Sequence, residues 1–140
     1  MSEGNEIKAL VLDTGSGFCK AGFAGDDTPR SVFPTIYGIP KETVIVEDFE
    51  DKGAYIGYGA CERAHVFSLR WPIQHGIVTN WDYMDRIFHY IIYNQFRVDS
   101  EEHPVLLTET PTNQKANREK MIQLMFDTYM VPSFYIELPA

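Results

Sequence analysis

The sequence predicts an α/β fold with a mixed five-stranded sheet. Two apolar runs near the start, separated by a glycine-rich turn, indicate an antiparallel hairpin. Later, two stretches with apolar residues at three- and four-residue intervals alternate with short apolar runs, which is typical of helices between strands. A helix that connects two strands favours parallel pairing. The sheet is therefore expected to be antiparallel at its beginning and parallel at its end.

Short apolar runs bounded by turn residues place the strands. The run Val105–Thr108 has no polar alternation before its last residue, which predicts a strand buried on both faces. Residues 37–71 hold only short apolar pieces around an acidic run, and they are interpreted as an excursion from the main sheet. The five predicted strands are 8–13, 18–23, 31–33, 105–108 and one that starts at 134–136.

Two helices are predicted, at residues 81–96 and 115–129. Thr79 or Asn80 is a suitable N-cap for the first helix, and Thr79 with Asp82 resembles a capping box. Pro132 ends the second helix. The apolar face of the first helix comprises Trp81, Met84, Phe88, Ile91, Ile92 and Phe96, and that of the second Met121, Ile122, Met125, Phe126 and Tyr129.

Composition excludes several classes of protein. A chain of 140 residues with 44% hydrophobic residues can bury a core as one domain, and it is not intrinsically disordered. A net charge of -8 argues against a nucleic-acid partner. The apolar runs are too short to span a membrane, and the polar start does not resemble a leader. The cysteines, Cys19 and Cys61, predict no disulfide, and the histidines lack metal-ligand spacing.

The segment from Asp13 to Lys20 carries the clearest chemical signal. Gly15 and Gly17 let the turn present backbone N–H groups to phosphate oxygens, and Ser16 adds a hydroxyl donor. Asp13, at the end of a strand, can hold a hydrated divalent cation, because hard cations prefer oxygen ligands. Lys20 can reach the phosphates from the next strand.

The same residues allow two other interpretations. Asp13-Thr-Gly-Ser16 resembles the catalytic turn of aspartic proteases, in which two carboxylates share a proton. One such motif per chain would require a homodimer. A glycine-rich β-turn without any ligand is the third alternative, and the hairpin alone does not decide among the three.

Longer blocks resemble the N-terminal part of actin, with no gap between them that has to be introduced. The similarity covers essentially the whole chain. The matching blocks are Asp13–Asp27, Pro29-Arg30, Val32–Pro34, Pro72–Trp81, Glu101–Glu109 and Lys115–Met121.

This resemblance implies the first lobe of the fold that actin shares with hexokinases and heat-shock ATPases, a ribonuclease H-like fold, here incomplete. Residues 1–34 and 72–140 would form the first, outer subdomain, and residues 35–71 the small second subdomain. The hairpin would be the first phosphate loop for ATP and Mg²⁺. The residues Gly15, Ser16, Gly17, Phe18 and Lys20 would contact the phosphates, and Asp13 would hold the cation through water.

The resemblance also implies a cytoplasmic, cytoskeletal protein whose partners are actin or actin-binding proteins. The second lobe of the family lies beyond the aligned part, so weak or absent ATP binding is expected. Pro139 aligns with the glutamine that orients the attacking water, which argues against hydrolysis. The carboxylates within Glu47–Asp51, and a first segment with only Glu3 and Glu6, argue against normal filament and myosin contacts.

Two function hypotheses therefore remain beside the remote protease alternative. The first is an actin-family cytoskeletal protein with residual nucleotide binding. The second is a truncated, non-catalytic paralogue that acts through protein contacts or has little function. Without the covering helices of the family, the helix face at Phe88, Ile91 and Ile92 is expected to lack part of its packing partner.

Overall fold

A computed structural model describes residues 7–41, 55–108 and 115–137 of the chain. Its main sheet has five strands in the order β3-β2-β1-β8-β9. β1, β2 and β3 pair antiparallel, whereas β8 and β9 extend the sheet in parallel. The predicted mixed α/β sheet is thus confirmed. The strands are β1 Leu10–Thr14, β2 Phe18–Phe23, β3 Ser31–Pro34, β4 Tyr37–Pro40, β5 Phe67–Arg70, β6 Ile73–Gln74, β7 Ile77–Val78, β8 Val105–Thr108 and β9 Phe134–Glu137.

Two small sheets accompany the main one. β4 and β5 pair antiparallel, and the short helix α1, Tyr58–Glu62, packs beside them. β6 and β7 form a hairpin that the sequence did not predict. Its turn consists of His75 and Gly76, with φ of 55° and 79°. A two-residue hairpin turn of type I′ requires a positive φ at both of these positions. The division into residues 1–34 with 72–140 and 35–71 stays a prediction.

The two long helices lie where the apolar periodicity placed them. α2, Trp81–His89, continues as a π-helix over Tyr90–Phe96, and α3, Lys115–Gln123, continues as a π-helix over Leu124–Thr128. A short 3-10 helix, Ser100–Glu102, precedes β8. No helix in the described ranges is long and apolar enough to cross a membrane.

The N-terminus of α2 decides between the two predicted caps. The Asn80 side chain accepts a hydrogen bond from the N–H of Tyr83 at 3.1 Å, so Asn80 is the N-cap. The hydroxyl of Thr79 instead donates to the carbonyl of Pro72 at 3.2 Å. The suggested capping box of Thr79 with Asp82 is therefore wrong, because the hydroxyl of Thr79 bonds to Pro72, just before β6, and does not cap the helix.

The core lies between the helices and one face of the sheet. Phe33 on β3 packs edge-on against Tyr90, with ring centroids 5.1 Å apart. Phe88, Ile91 and Ile92 each have 0% exposure, so the expectation that this helix face lacks packing partners is wrong. These side chains belong to one buried cluster with residues of the sheet, with Met125 and with Tyr129, which directly follows the second long helix.

The opposite face of the sheet is more open. Val105 and Leu107 on β8 are buried, but Leu106 and Thr108, which point to the other face, are only partly buried. The prediction of a strand buried on both faces is therefore wrong for β8. The exposure follows from the alternation of side chains along a strand, because the described helices cover only one face.

Candidate functional site

The turn between β1 and β2 is closed by a hydrogen bond from the N–H of Gly15 to the carbonyl of Phe18, at 3.0 Å. A Cβ atom at Gly15 would lie 3.0 Å from that carbonyl oxygen, a tight contact that favours glycine there. At Gly17, a Cβ atom would meet nothing within 4 Å. Gly15 thus shapes the turn with its N–H, whereas Gly17 leaves an open approach.

Thr35, directly after β3, fixes the turn from beneath. Its hydroxyl donates to the carbonyl of Gly15 at 2.7 Å, and its N–H donates to the carbonyl of Gly17 at 3.0 Å. Thr35 has 0% exposure, and a buried hydroxyl of this kind requires a partner. Because both hydrogen bonds come from a buried residue, the core holds the turn in a well-defined conformation.

Cys19 completes the support of the turn. Its Sγ lies 3.2 Å from Oγ1 of Thr35, and the side chain is fully buried. Burial raises the pKa of the Cys19 thiol to about 11, an effect that the Thr35 hydrogen bond opposes and the Asp13 charge increases. The thiol stays protonated at neutral pH, and its role is packing rather than nucleophilic chemistry. Cys61 is also a free thiol.

Ser16 connects the turn to a distant part of the chain. Its Oγ accepts a hydrogen bond from the N–H of Gly76 at 2.7 Å, so the β6–β7 turn meets the β1–β2 turn. Because Oγ is the acceptor in this bond, the hydroxyl proton stays available for another group. In the described part of the chain, the N–H groups of Ser16 and Gly17 have no acceptor.

A row of polar residues crosses the open face of the sheet beside this turn. Strand register places Lys20 opposite Asp13, Asp13 opposite Thr108, and Thr108 opposite Glu137. The Thr108 hydroxyl donates to Oδ1 of Asp13 at 2.8 Å. Neighbouring strands lie about 4.8 Å apart, so the row concentrates one cation and two carboxylates at the carboxyl ends of the parallel strands.

Asp13 fits the role of an outer ligand to a hydrated cation. Its carboxylate is exposed at the end of β1, and only one oxygen is oriented by Thr108. The remaining oxygen can accept hydrogen bonds from water bound to a hard divalent cation. Among the described residues, no group of three or more His, Cys, Asp and Glu could hold a metal ion.

The predicted site residues thus come together on the first hairpin, with two qualifications. The side chain of Phe18 is 49% exposed, and it offers only backbone groups to a polar ligand. The N–H of Gly15 donates to the carbonyl of Phe18 within the turn, so it is not offered to a ligand. The acidic run Glu47–Asp51, the first glutamates and Pro139 lie outside the described residues.

Sequence reasoning missed Thr35, Gly76, Thr108 and Glu137. Thr108 had a signal, because it follows an apolar strand just as Asp13 does, and neighbouring parallel strands end at one edge. Glu137 follows the last apolar run in the same way. The contacts of Thr35 and Gly76 depend on packing between separate segments, which no local pattern reports.

The fold and the hairpin together define an α/β lobe of the actin-like type. A protein-family model described as Actin matches residues 4–140 of the chain. This chain therefore belongs to the actin family. Membership in this family removes the dimeric aspartic protease as an explanation of the segment Asp13–Ser16.

Proposed function

We propose that the hairpin from Asp13 to Lys20 binds the phosphate end of a Mg²⁺-nucleotide, with ATP as the nucleotide that the family implies. The observation that supports this most strongly is the arrangement at Ser16. Its oxygen is held by Gly76, which leaves its proton and the N–H groups of Ser16 and Gly17 for an anion. Such preoriented donors bind phosphate without the cost of ordering a loop.

In this proposal, the two charged residues of the hairpin, Lys20 and Asp13, have different roles. Lys20 neutralises phosphate charge, because an ammonium on the neighbouring strand acts as a point charge beside the turn. Asp13 orients water on the cation, which in turn offsets the repulsion between carboxylate and phosphate. Gly15 keeps the turn in shape, and Gly17 and Phe18 offer main-chain groups. Mg²⁺, when bound, would neutralise phosphate oxygens.

Hydrolysis is not part of this proposal. Proline at position 139 can neither donate nor accept through its side chain, and attack on a phosphate needs an oriented water. Phosphate release from ATP should therefore stay at the rate seen without protein. If a Pro139→Gln variant releases phosphate from ATP faster than the parent chain, then the parent chain binds the nucleotide but does not orient the attacking water.

Thermal melting with and without Mg²⁺-ATP tests the binding proposal. A ligand that binds only the folded chain stabilises it by about 2.7 kcal/mol at a hundred times its dissociation constant. We expect ATP to raise the melting temperature of the parent chain and of Asp27→Ala, an exposed carboxylate outside the row. Asp13→Ala should lose most of the shift. The proposal would be contradicted if Mg²⁺-ATP did not change the melting temperature of the parent chain. It would also be contradicted if Mg²⁺-ATP raised the melting temperatures of the two variants equally.

The cytoskeletal role, the cytoplasmic location and the contacts with actin or actin-binding proteins are proposed from family membership. A non-catalytic paralogue acting through protein contacts is the alternative. Co-sedimentation with actin filaments, with and without ATP, separates the two. ATP-dependent binding favours the nucleotide-binding protein, and binding that ignores nucleotide favours the paralogue.

A further inference from the structure

The five-stranded sheet ends at β9, and no described strand lies beyond it. The N–H of Val105 on β8 donates to the carbonyl of Ser133 at 3.0 Å. Because backbone groups alternate sides along a strand, Ser133 and Tyr135 direct theirs toward β8. Phe134 and Ile136 therefore direct their N–H and C=O groups away from the sheet, toward a strand that could be added there.

The middle of this edge carries no protection against pairing, and the charge of this short strand lies at its end, on Glu137. The segment Phe134-Tyr135-Ile136 consists of residues that favour strands, and it contains no lysine, proline or bulge. The opposite edge is different. β3 follows Arg30 and ends at Pro34, which has no N–H to donate.

The side chains at the β9 edge also leave apolar surface open. Tyr135 is 60% exposed on one face of the sheet. On the other face, Phe126 is 42% exposed and packs against Phe134, with ring centroids 6.4 Å apart. Apolar side chains thus flank the free backbone groups on both faces, as an edge that receives another strand requires.

We propose that β9 pairs antiparallel with β9 of a second copy of this chain, about a two-fold axis that passes between the two Tyr135 residues. In this register, Phe134 of each copy lies opposite Ile136 of the other. These are the residues with outward backbone groups, so both pairs are hydrogen-bonded pairs and form four bonds. Two sheets of five strands become one continuous sheet.

The side chains suit the same register. Tyr135 lies opposite Tyr135 in the closer, non-hydrogen-bonded position, where aromatic pairs stabilise a sheet. Phe134 and Ile136 form two aromatic–β-branched pairs on the helix side. Glu137 lies opposite Ser133, so the carboxylates do not face one another. An axis through Ile136 would instead place Glu137 against Tyr135 and leave one hydrogen-bonded pair of described residues.

Charge sets the conditions for association. Each copy carries a net charge of -8, so two copies repel at low ionic strength. The repulsion is screened over about 8 Å at physiological salt. We therefore expect the dimer to become tighter as salt is raised from low to physiological concentration, whereas pairing that depends on surface ion pairs would weaken.

Disulfide trapping tests the register in the full chain with Cys61→Ser as background. Tyr135→Cys places two thiols at a Cα separation of about 4.5 Å, which allows a disulfide. The matched control is Glu137→Cys, whose two thiols would be offset by about 14 Å along the strands. We expect mild oxidation to cross-link the first variant and not the second. Equal cross-linking of both would overturn the proposal.

Sedimentation velocity tests the dimer itself. The 16.1 kDa chain should shift toward twice its mass between micromolar and near-millimolar concentration. Tyr135→Lys and Tyr135→Glu each set like charges opposite one another, and we expect each to weaken association about tenfold or more. A mixture of the two should restore the dimer.

Tyr58→Lys is the control, because Tyr58 is 54% exposed on α1 and lies outside the β9 edge. It should associate like the parent chain. Circular dichroism establishes that each variant folds. A parent chain that stays monomeric near millimolar concentration, or a mixture that stays monomeric while the parent associates, would overturn the proposal.

Discussion

The Oγ of Ser16 and the backbone N–H of Gly76 lie 2.7 Å apart, although sixty residues separate them in the chain. This hydrogen bond joins the turn between β1 and β2 to the turn of the β6–β7 hairpin. It gives the β6–β7 turn, with its two left-handed residues His75 and Gly76, a direct contact with the candidate site.

We expect Ser16→Ala to destabilise the chain even without nucleotide. The partly buried N–H of Gly76 loses its acceptor, which costs about 1–3 kcal/mol in the free energy of unfolding. Urea unfolding followed by circular dichroism measures the change. Ser68→Ala, at a partly buried serine on β5, is the control and should cost less. Equal losses in the two variants would show that the Ser16 contact contributes nothing specific.

The buried hydroxyl of Thr35 should matter more than its methyl group. Thr35→Val keeps the shape but removes the donor to Gly15 and the contact with Cys19. We expect a loss of about 1–3 kcal/mol, because the carbonyl of Gly15 is left without this donor. Thr35→Ser keeps the hydroxyl and should be the milder change. Urea midpoints that rank the two variants in the opposite order would contradict this account.

The sequence predicted the main sheet and both long helices well, because each strand and helix has a recognisable pattern of apolar residues in its own segment. The strand Phe18–Phe23 has the predicted bounds, and Asn80 is one of the two predicted caps. The β6–β7 hairpin escaped prediction because each strand has two residues and His75 gives no sign of its positive φ. The bond from Thr108 to Asp13 joins residues 95 positions apart, so only the parallel register reveals it.

Alkaline pH should destabilise the fold through Cys19. Its pKa is about 11 in the folded chain against an ordinary value of 9.0, so the folded state holds the proton more tightly. The resulting stabilisation is complete below about pH 9 and is lost as the pH rises through 11. Between pH 8 and pH 11, we expect the parent chain to lose about 2 kcal/mol more than Cys19→Ala. Urea unfolding at the two pH values measures this difference, and parallel losses would contradict it.

Tyr129 should be the second source of alkaline sensitivity. Its hydroxyl donates to the backbone carbonyl and to the carboxylate of Asp85, and the residue is only 3% exposed. Burial raises the pKa of Tyr129 well above its ordinary value of 10.0, and the hydrogen bond and negative charge of Asp85 raise it further. The folded state therefore opposes ionisation, and its stability falls once the pH exceeds the ordinary value.

Tyr129→Phe separates the two consequences of this hydroxyl. At neutral pH, the variant should lose about 1–3 kcal/mol, because the carboxylate of Asp85 loses a buried donor. Above pH 10, it should lose less further stability than the parent chain, because no phenol remains to ionise. Tyr58→Phe, at a tyrosine that is 54% exposed, should change the free energy of unfolding by less than about 0.5 kcal/mol. Thermal and urea unfolding from pH 7 to pH 11 decide the matter, since a Tyr129→Phe variant as stable as the parent at pH 7 would show that the Asp85 contact does not hold the two helices together.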